Sequence, residues 1–263
     1  MRSTSFLKGS LLPAALAVVL ACQARAAVII LNPSKDNTLF QSTTGTESSG
    51  SGISIFAGRT GALDEGRFRR AVMAFDLAGV IPSGAIITDV TLTLFLLQAG
   101  SGSAGRSVSL HPLTASWGEG SSVGNVGAPG TASAGDATWL HRFHSATPWT
   151  TAGGDFESAA SASTIINGAN KSYSWSGPAL VEDVQTWATN PAVNFGWLFR
   201  GDETALSTAL RFTSRETVNA AQRPQLTVTY NPVPEPSCAG LLSLGVLLLG
   251  GRTLHRPRAC HEL

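Results

Sequence analysis

Six tryptophans are the side chains of this 263-residue chain best suited to hold a ligand: Trp117, Trp139, Trp149, Trp175, Trp187 and Trp197. An exposed indole stacks on the C–H face of a sugar ring through apolar area and quadrupole effects. Trp187 and Trp197 sit in periodic apolar segments and read as core. Trp117, Trp139 and Trp149 flank polar loops and are the candidate ligand-binding residues, with packing as the competing role. Glu119, Asp136, Asp155, Glu157, Asp202 and Glu203 lie near Trp or Gly-rich turns. A glycosidase would need two carboxylates about 5 to 9.5 Å apart, and turn and surface roles account for all six. His141 and His144 are spaced i, i+3, which on a strand sends them to opposite faces, so they chelate only if the segment is helical. His111 has no evident partner. Asp36 is one candidate ligand for a structural calcium ion, although no Asp-x-Asp loop marks a site. No G-x-S-x-G, phosphate-loop or H-E-x-x-H motif occurs, and no catalytic residue is assigned.

The segments that must position these residues read as strands. Ile86–Leu96 alternates, with Ile86, Val90, Leu92, Leu94 and Leu96 on one face and Asp89, Thr91 and Thr93 on the other. Leu226, Val228 and Tyr230 alternate with Gln225, Thr227 and Thr229 in the same way. Further strands are expected at Val28–Leu31, Ile53–Phe56, Ala71–Leu77, Val108–Leu113, Phe195–Arg200 and Ala209–Thr213. One helix interrupts them, with Leu180, Val184 and Trp187 at i, i+4, i+7 and Pro191 ending the pattern. The Gly/Ser/Ala-rich stretch 118–135 reads as a long surface loop. Short strands with Gly/Pro/Ser punctuation indicate an all-β fold, a sandwich or jelly roll.

The ends address the chain. Arg2 and Lys8, apolar Leu11–Ala21 and Ala24-Arg25-Ala26 have the form of a secretory signal cleaved before Ala27. Val19-Leu20-Ala21-Cys22 is a second-ranked lipoprotein box. At the other end, Pro234-Glu235-Pro236 precedes an apolar run, Cys238–Gly251, and then Arg252, Arg256 and Arg258. A helix from Pro236 to Gly251 would rise about 24 Å, short of a ~30 Å hydrocarbon core unless its ends snorkel. The arginines place its C-terminus in the cytoplasm and the body outside.

Charged residues are 13% of the chain, against a typical ~25%. The net charge is +1 and no basic stripe occurs, so nucleic acid is not an expected partner. Cys22, Cys238 and Cys260 all lie in the terminal segments, which excludes disulfides, thiol catalysis and Cys-ligated zinc from the body.

The Pro-Glu-Pro motif, apolar span and Arg-rich end resemble the PEP-CTERM sorting signal. That resemblance implies handling by an exosortase-type membrane protease, with Pro234, Glu235 and Pro236 as recognition residues. A second resemblance runs through the body. It is carried by Arg70-Ala71-Val72-Met73-Ala74-Phe75-Asp76-Leu77, Ile81-Pro82-Ser83-Gly84-Ala85-Ile86-Ile87 and Ser116-Trp117-Gly118-Glu119-Gly120. Trp149–Phe156, Asn194–Leu198, Phe212-Thr213-Ser214-Arg215-Glu216 and Arg223-Pro224-Gln225-Leu226 continue it. In this order they resemble the DNRLRE-type secreted domain, related to carbohydrate-binding modules, although the namesake motif reads Phe68-Arg69-Arg70-Ala71 here. The resemblance implies a jelly-roll-like antiparallel β-sandwich and, in some members, polysaccharide binding.

The expected organisation is a signal peptide (1–26), a DNRLRE-like sandwich (27–231) and a PEP-CTERM signal (232–259) with a transmembrane helix at about 238–251. The expected function is a non-enzymatic cell-surface or biofilm-matrix protein that binds or organises exopolysaccharide. It would be held at the inner membrane by its C-terminal helix until processing. The alternatives are a polysaccharide-active lyase or hydrolase, and a purely structural matrix protein.

Overall fold

In β6 (Ile86–Ala99), Val90, Leu92, Leu94 and Leu96 are fully buried while the residues between them remain partly open. That alternation repeats across the chain and builds the sheet. The computed structural model describes residues 25–63, 67–125 and 127–233. The signal segment up to Ala24, the Pro234-Glu235-Pro236 motif and the apolar run after it lie outside the described residues. Among the described residues, no helix is long and apolar enough to cross a membrane.

In chain order the other elements before the helix are β1 (Ala27–Leu31), β2 (Lys35–Phe40), β3 (Glu47–Ser48), β4 (Ser54–Arg59), β5 (Phe68–Ala74), β7 (Arg106–Pro112), β8 (Gly130–Thr131), β9 (His141–Phe143), β10 (Thr147–Pro148), β11 (Ala162–Ile166) and β12 (Lys171–Ser176). Helix α1 (Pro178–Thr189) follows, then β13 (Trp197–Arg200), β14 (Leu210–Thr213) and β15 (Gln225–Asn231).

Eleven strands form one mostly antiparallel, curled sheet with the path β1-β15-β6-β14-β4-β5-β13-β7-β11, to which β12 adds on β6 and β2 on β5. β4 is the corner. Its residues 54–57 pair with β14, whereas Gly58 and Arg59 pair with β5. Gly58 makes the turn at φ +109°, and a Cβ there would lie 2.7 Å from the Thr208 carbonyl oxygen. The two halves face each other in a sandwich-like arrangement around one apolar core. Leu92, Leu94, Trp175, Phe212 and Val228 come from one half, and Met73, Trp197, Phe199, Val108 and Leu110 from the other. Each fully buried Leu or Phe contributes ~1.5–3 kcal/mol relative to exposure.

The expected helix is present, and its buried face is Leu180, Val184 and Trp187. Trp187 packs on Trp197 at 4.5 Å between ring centroids, and the Trp197 Nε1–H donates to Asp183 Oδ2 at 2.7 Å. Both indoles are therefore core, as their spacing indicated.

Two readings need correction. Ile86 faces solvent, because the β6–β15 register shifts between Thr229 and Tyr230 and turns Ile87 inward instead. A bulge of one residue inverts the alternation beyond it. β2, β11 and β12 are additional strands. β2 carries Asp36-Asn37-Thr38, polar residues that a sequence pattern assigns to a loop, yet all three are buried.

Candidate functional site

The outer face of β2, β5, β13 and β7 sets the site's geometry. Register aligns Leu39, Arg70, Arg200 and Ser109 in one row and Asn37, Val72, Leu198 and His111 in the next. Apolar members of these rows would be exposed on a bare sheet. The chain from Leu113 to Phe156 covers them and adds Trp117, Trp139, Trp149, Ala137 and Leu113 to a second hydrophobic cluster.

The three candidate tryptophans are the pins of this cover. Trp117 is 2% exposed, Trp139 8% and Trp149 5%. The Trp117 Nε1–H donates to the Phe195 carbonyl at 2.9 Å, and the Trp149 Nε1–H to the Thr138 carbonyl at 2.9 Å. The Lys35 ammonium lies 4.2 Å from the Trp117 ring, and the Arg70 guanidinium 4.9 Å from the Trp139 ring. All three are buried, which favours the packing role weighed against ligand binding, and Trp117 and Trp149 also spend their N–H groups on backbone carbonyls. Trp139 borders a surface depression, with Gln41, Arg67 and Leu140.

Arg70 pins the same cover from below. Its guanidinium makes a two-pronged contact with Glu203 at 2.7 and 3.0 Å and donates to the Gly153 carbonyl at 2.8 Å. Arg200 stands directly opposite, where like charges would repel. Glu203 accepts from it too, at 3.3 Å.

Most acidic candidates build turns. Asp155 caps the N–H groups of Thr150 and Thr151, both at 2.8 Å. Burial raises the Asp202 carboxyl, but the Ala205 and Thr204 N–H groups and Arg106 together outweigh it and hold it below the usual range. Asp136 is fully buried rather than superficial, and it ties the 118–135 loop by accepting from Ser121 and Ser133. Glu157 is exposed.

The histidines differ from their sequence reading. His141 and His144 are not on one extended strand, because the chain turns after Phe143 and Ala146 N–H returns to the Phe143 carbonyl. Their rings meet edge to face at 5.4 Å. His111 does have partners: Nδ1 donates to the Glu157 carbonyl at 2.9 Å, and Nε2 contacts Ser109 Oγ at 2.9 Å. Burial pushes the His111 pKa down.

Asp36 lies at the meeting point of two segments that carried the DNRLRE resemblance. Its N–H donates to Glu119 Oε1 at 2.8 Å, and its Oδ2 accepts from the Arg215 N–H at 2.7 Å. The Arg215 guanidinium grips Glu119 at 2.7 and 3.1 Å and lies 2.7 Å from Glu216 Oε1. Among the described residues no group of three or more His, Cys, Asp or Glu side chains is arranged to hold a metal ion.

Sequence reasoning passed over a cleft at the β4 corner. It encloses about 360 Å³ between Phe56, Thr60, Arg69, Gln98, Ser101 and Arg211. Arg211 lies opposite Phe56 on one side of β4, and Arg69 opposite Gly58 on the other. The Arg69 guanidinium rests 4.8 Å from the Phe40 ring. Arg211 has no hydrogen-bond or ionic partner among the described residues, and its Nε is buried. The described lining carries no carboxylate. No protein-family model matches the chain, and no curated protein matches it. The signal in the sequence was the arginine inside Leu210-Arg211-Phe212, a cation on a strand with no acidic neighbour across the sheet.

Proposed function

We propose that the chain is an exported, non-enzymatic protein of the cell surface or extracellular matrix whose jelly-roll-like sandwich binds or organises acidic polysaccharide. The corner cleft carries this reading. A guanidinium with no counter-ion among the described residues, set among hydroxyl and amide side chains, suits a chain that bears both hydroxyls and carboxylate or sulfate groups. Among the described residues the lining has no paired carboxylates, which favours binding over glycoside hydrolysis at this cleft. The signal-like segment 1–26, the Pro-Glu-Pro motif and the apolar run Cys238–Gly251 followed by arginines support delivery through an exosortase.

A glycan array probed with residues 27–231, with and without calcium, tests the binding. Acidic glycans are expected to be retained over neutral ones. Arg211→Gln is expected to weaken retention by about 10–150-fold, the worth of a charge-assisted hydrogen bond of ~1.5–3 kcal/mol, with an unchanged melt. Absence of binding to every glycan would leave the purely structural matrix protein. Shortening of the bound polysaccharide during incubation would favour the lyase or hydrolase.

Delivery is tested separately. Replacing Pro234 and Pro236 by Ala in the native host is expected to leave an unprocessed, membrane-retained protein on immunoblots of cell fractions. Unchanged size and surface delivery would remove the exosortase from the proposal.

A further inference from the structure

The junction around Asp36 has more negative charge than its cations balance. Asp36, Glu119 and Glu216 bring three carboxyl groups, and Arg215 and Lys35 bring two cations. Asp36 is fully buried, and its Oδ1 has no hydrogen-bond partner among the described residues. The Glu216 Oε2 atom is buried without a partner in the same junction. Two orphaned acceptors around one guanidinium lack a donor, and a buried unpaired acceptor costs about 1–3 kcal/mol. The Arg215 Nε lies against Glu119 Oε1 and Glu216 Oε1, its Nη2 donates to Glu119 Oε2 and its backbone N–H to Asp36 Oδ2, and none of these contacts reaches the two orphaned oxygens. Lys35 Nζ donates to the Trp117 carbonyl at 2.5 Å. Trp117, Gly118 and Glu119 therefore rest on this junction, and with them the start of the 118–135 loop.

We propose that the junction is a proton-dependent clasp: Asp36 is held as the neutral acid, its proton supplies the missing donor toward Glu216, and loss of that proton releases the Trp117–Glu119 segment from β2. The charged groups facing Asp36 are Lys35 from its own strand, Glu119 from the covering loop, and Arg215 and Glu216 from the turn after β14; its register partner on β5 is Met73. Burial first, and then the Glu216 carboxylate, push the Asp36 pKa well above its ordinary value. Burial likewise raises Glu216. A proton is preferred to a metal cation because the Arg215 guanidinium already bridges Glu119 and Glu216 and would repel a divalent ion beside them.

The sign follows from linkage. A carboxyl whose folded pKa is raised contributes stability that is complete below its unfolded pKa, near 3.8 for Asp36. That contribution is lost as pH rises toward and through the folded value. Asp36→Asn keeps the shape, an oxygen for the Arg215 N–H and a permanent donor toward Glu216. The test compares the melting of wild type and Asp36→Asn from pH 5 to pH 8, in the full chain in detergent and in residues 27–231, with EDTA present; a second series at pH 8 replaces the EDTA with millimolar calcium. Wild type is expected to lose on the order of 5 °C relative to Asp36→Asn as pH rises, with backbone exchange at residues 117–120 rising in wild type only. Parallel pH profiles for the two proteins would overturn the clasp. So would a rise in wild-type melting at pH 8 on adding millimolar calcium that Asp36→Asn does not share, which would assign the orphaned oxygens to a cation instead.

Discussion

Trp149→Ala is expected to destabilise the protein by about 3–5 kcal/mol, the usual cost of emptying a large aromatic site, and so to match Trp197→Ala. The two side chains belong to different cores, yet both are closed off from water at 5% and 0% exposure. Trp149 packs with Trp117, Leu198 and Val72 under the Leu113–Phe156 cover, and its N–H meets the Thr138 carbonyl. Truncation leaves a cavity and an orphaned buried carbonyl together. Chemical denaturation of both variants measures the loss, and retention on acidic glycans measures the site. A Trp149→Ala protein with an unchanged melt and lost glycan retention would return this indole to the role of a sugar platform.

Gly196→Ala is expected to be at least as damaging. Gly196 holds φ +79° immediately before β13, where an L side chain is strained by about 1–2 kcal/mol. A Cβ there would lie 2.0 Å from the Met73 carbonyl oxygen and 2.7 Å from the Ala74 Cα. Both obstacles are backbone of β5, so relief requires β13 to move off its partner. Because Trp197 follows directly and ties the helix through Asp183, displacement reaches the main core. A low yield of soluble protein, or a melt lowered by more than the ~2–4 °C that 1 kcal/mol represents at this size, is the expected reading. A wild-type melt would show that β13 tolerates the shift.

Some of this architecture was legible because its cause is local. Leu92-Leu94-Leu96 and Leu226-Val228-Tyr230 declare their strands by a period of two, and Leu180-Val184-Trp187 declare the helix by a period near 3.6. Where the chain departs from its own period the pattern misled. Ile86 continues the alternation on paper, but one bulged residue places it in water. β12 was readable in principle from Tyr173 and Trp175 alternating with serines in Lys171–Ser176. The polar β2 was not.

The order of apolar and polar residues by itself determined the all-β class, the helix before Pro191, the core placement of Trp187 and Trp197, and a body without cysteine. Only the tertiary structure decided which loop side chains are hidden and which cations find no partner among the described residues. Trp117 finds its acceptor 78 residues away in Phe195, and Asp36 finds the Arg215 N–H 179 residues away. Contacts of that separation leave no periodic trace, since each depends on two segments being docked by the sheet. The same holds for Arg211. Its place between Phe56 and Gln98 follows from the register of β14 with β4 and β6, which sets a cation with no described partner at the mouth of the corner cleft.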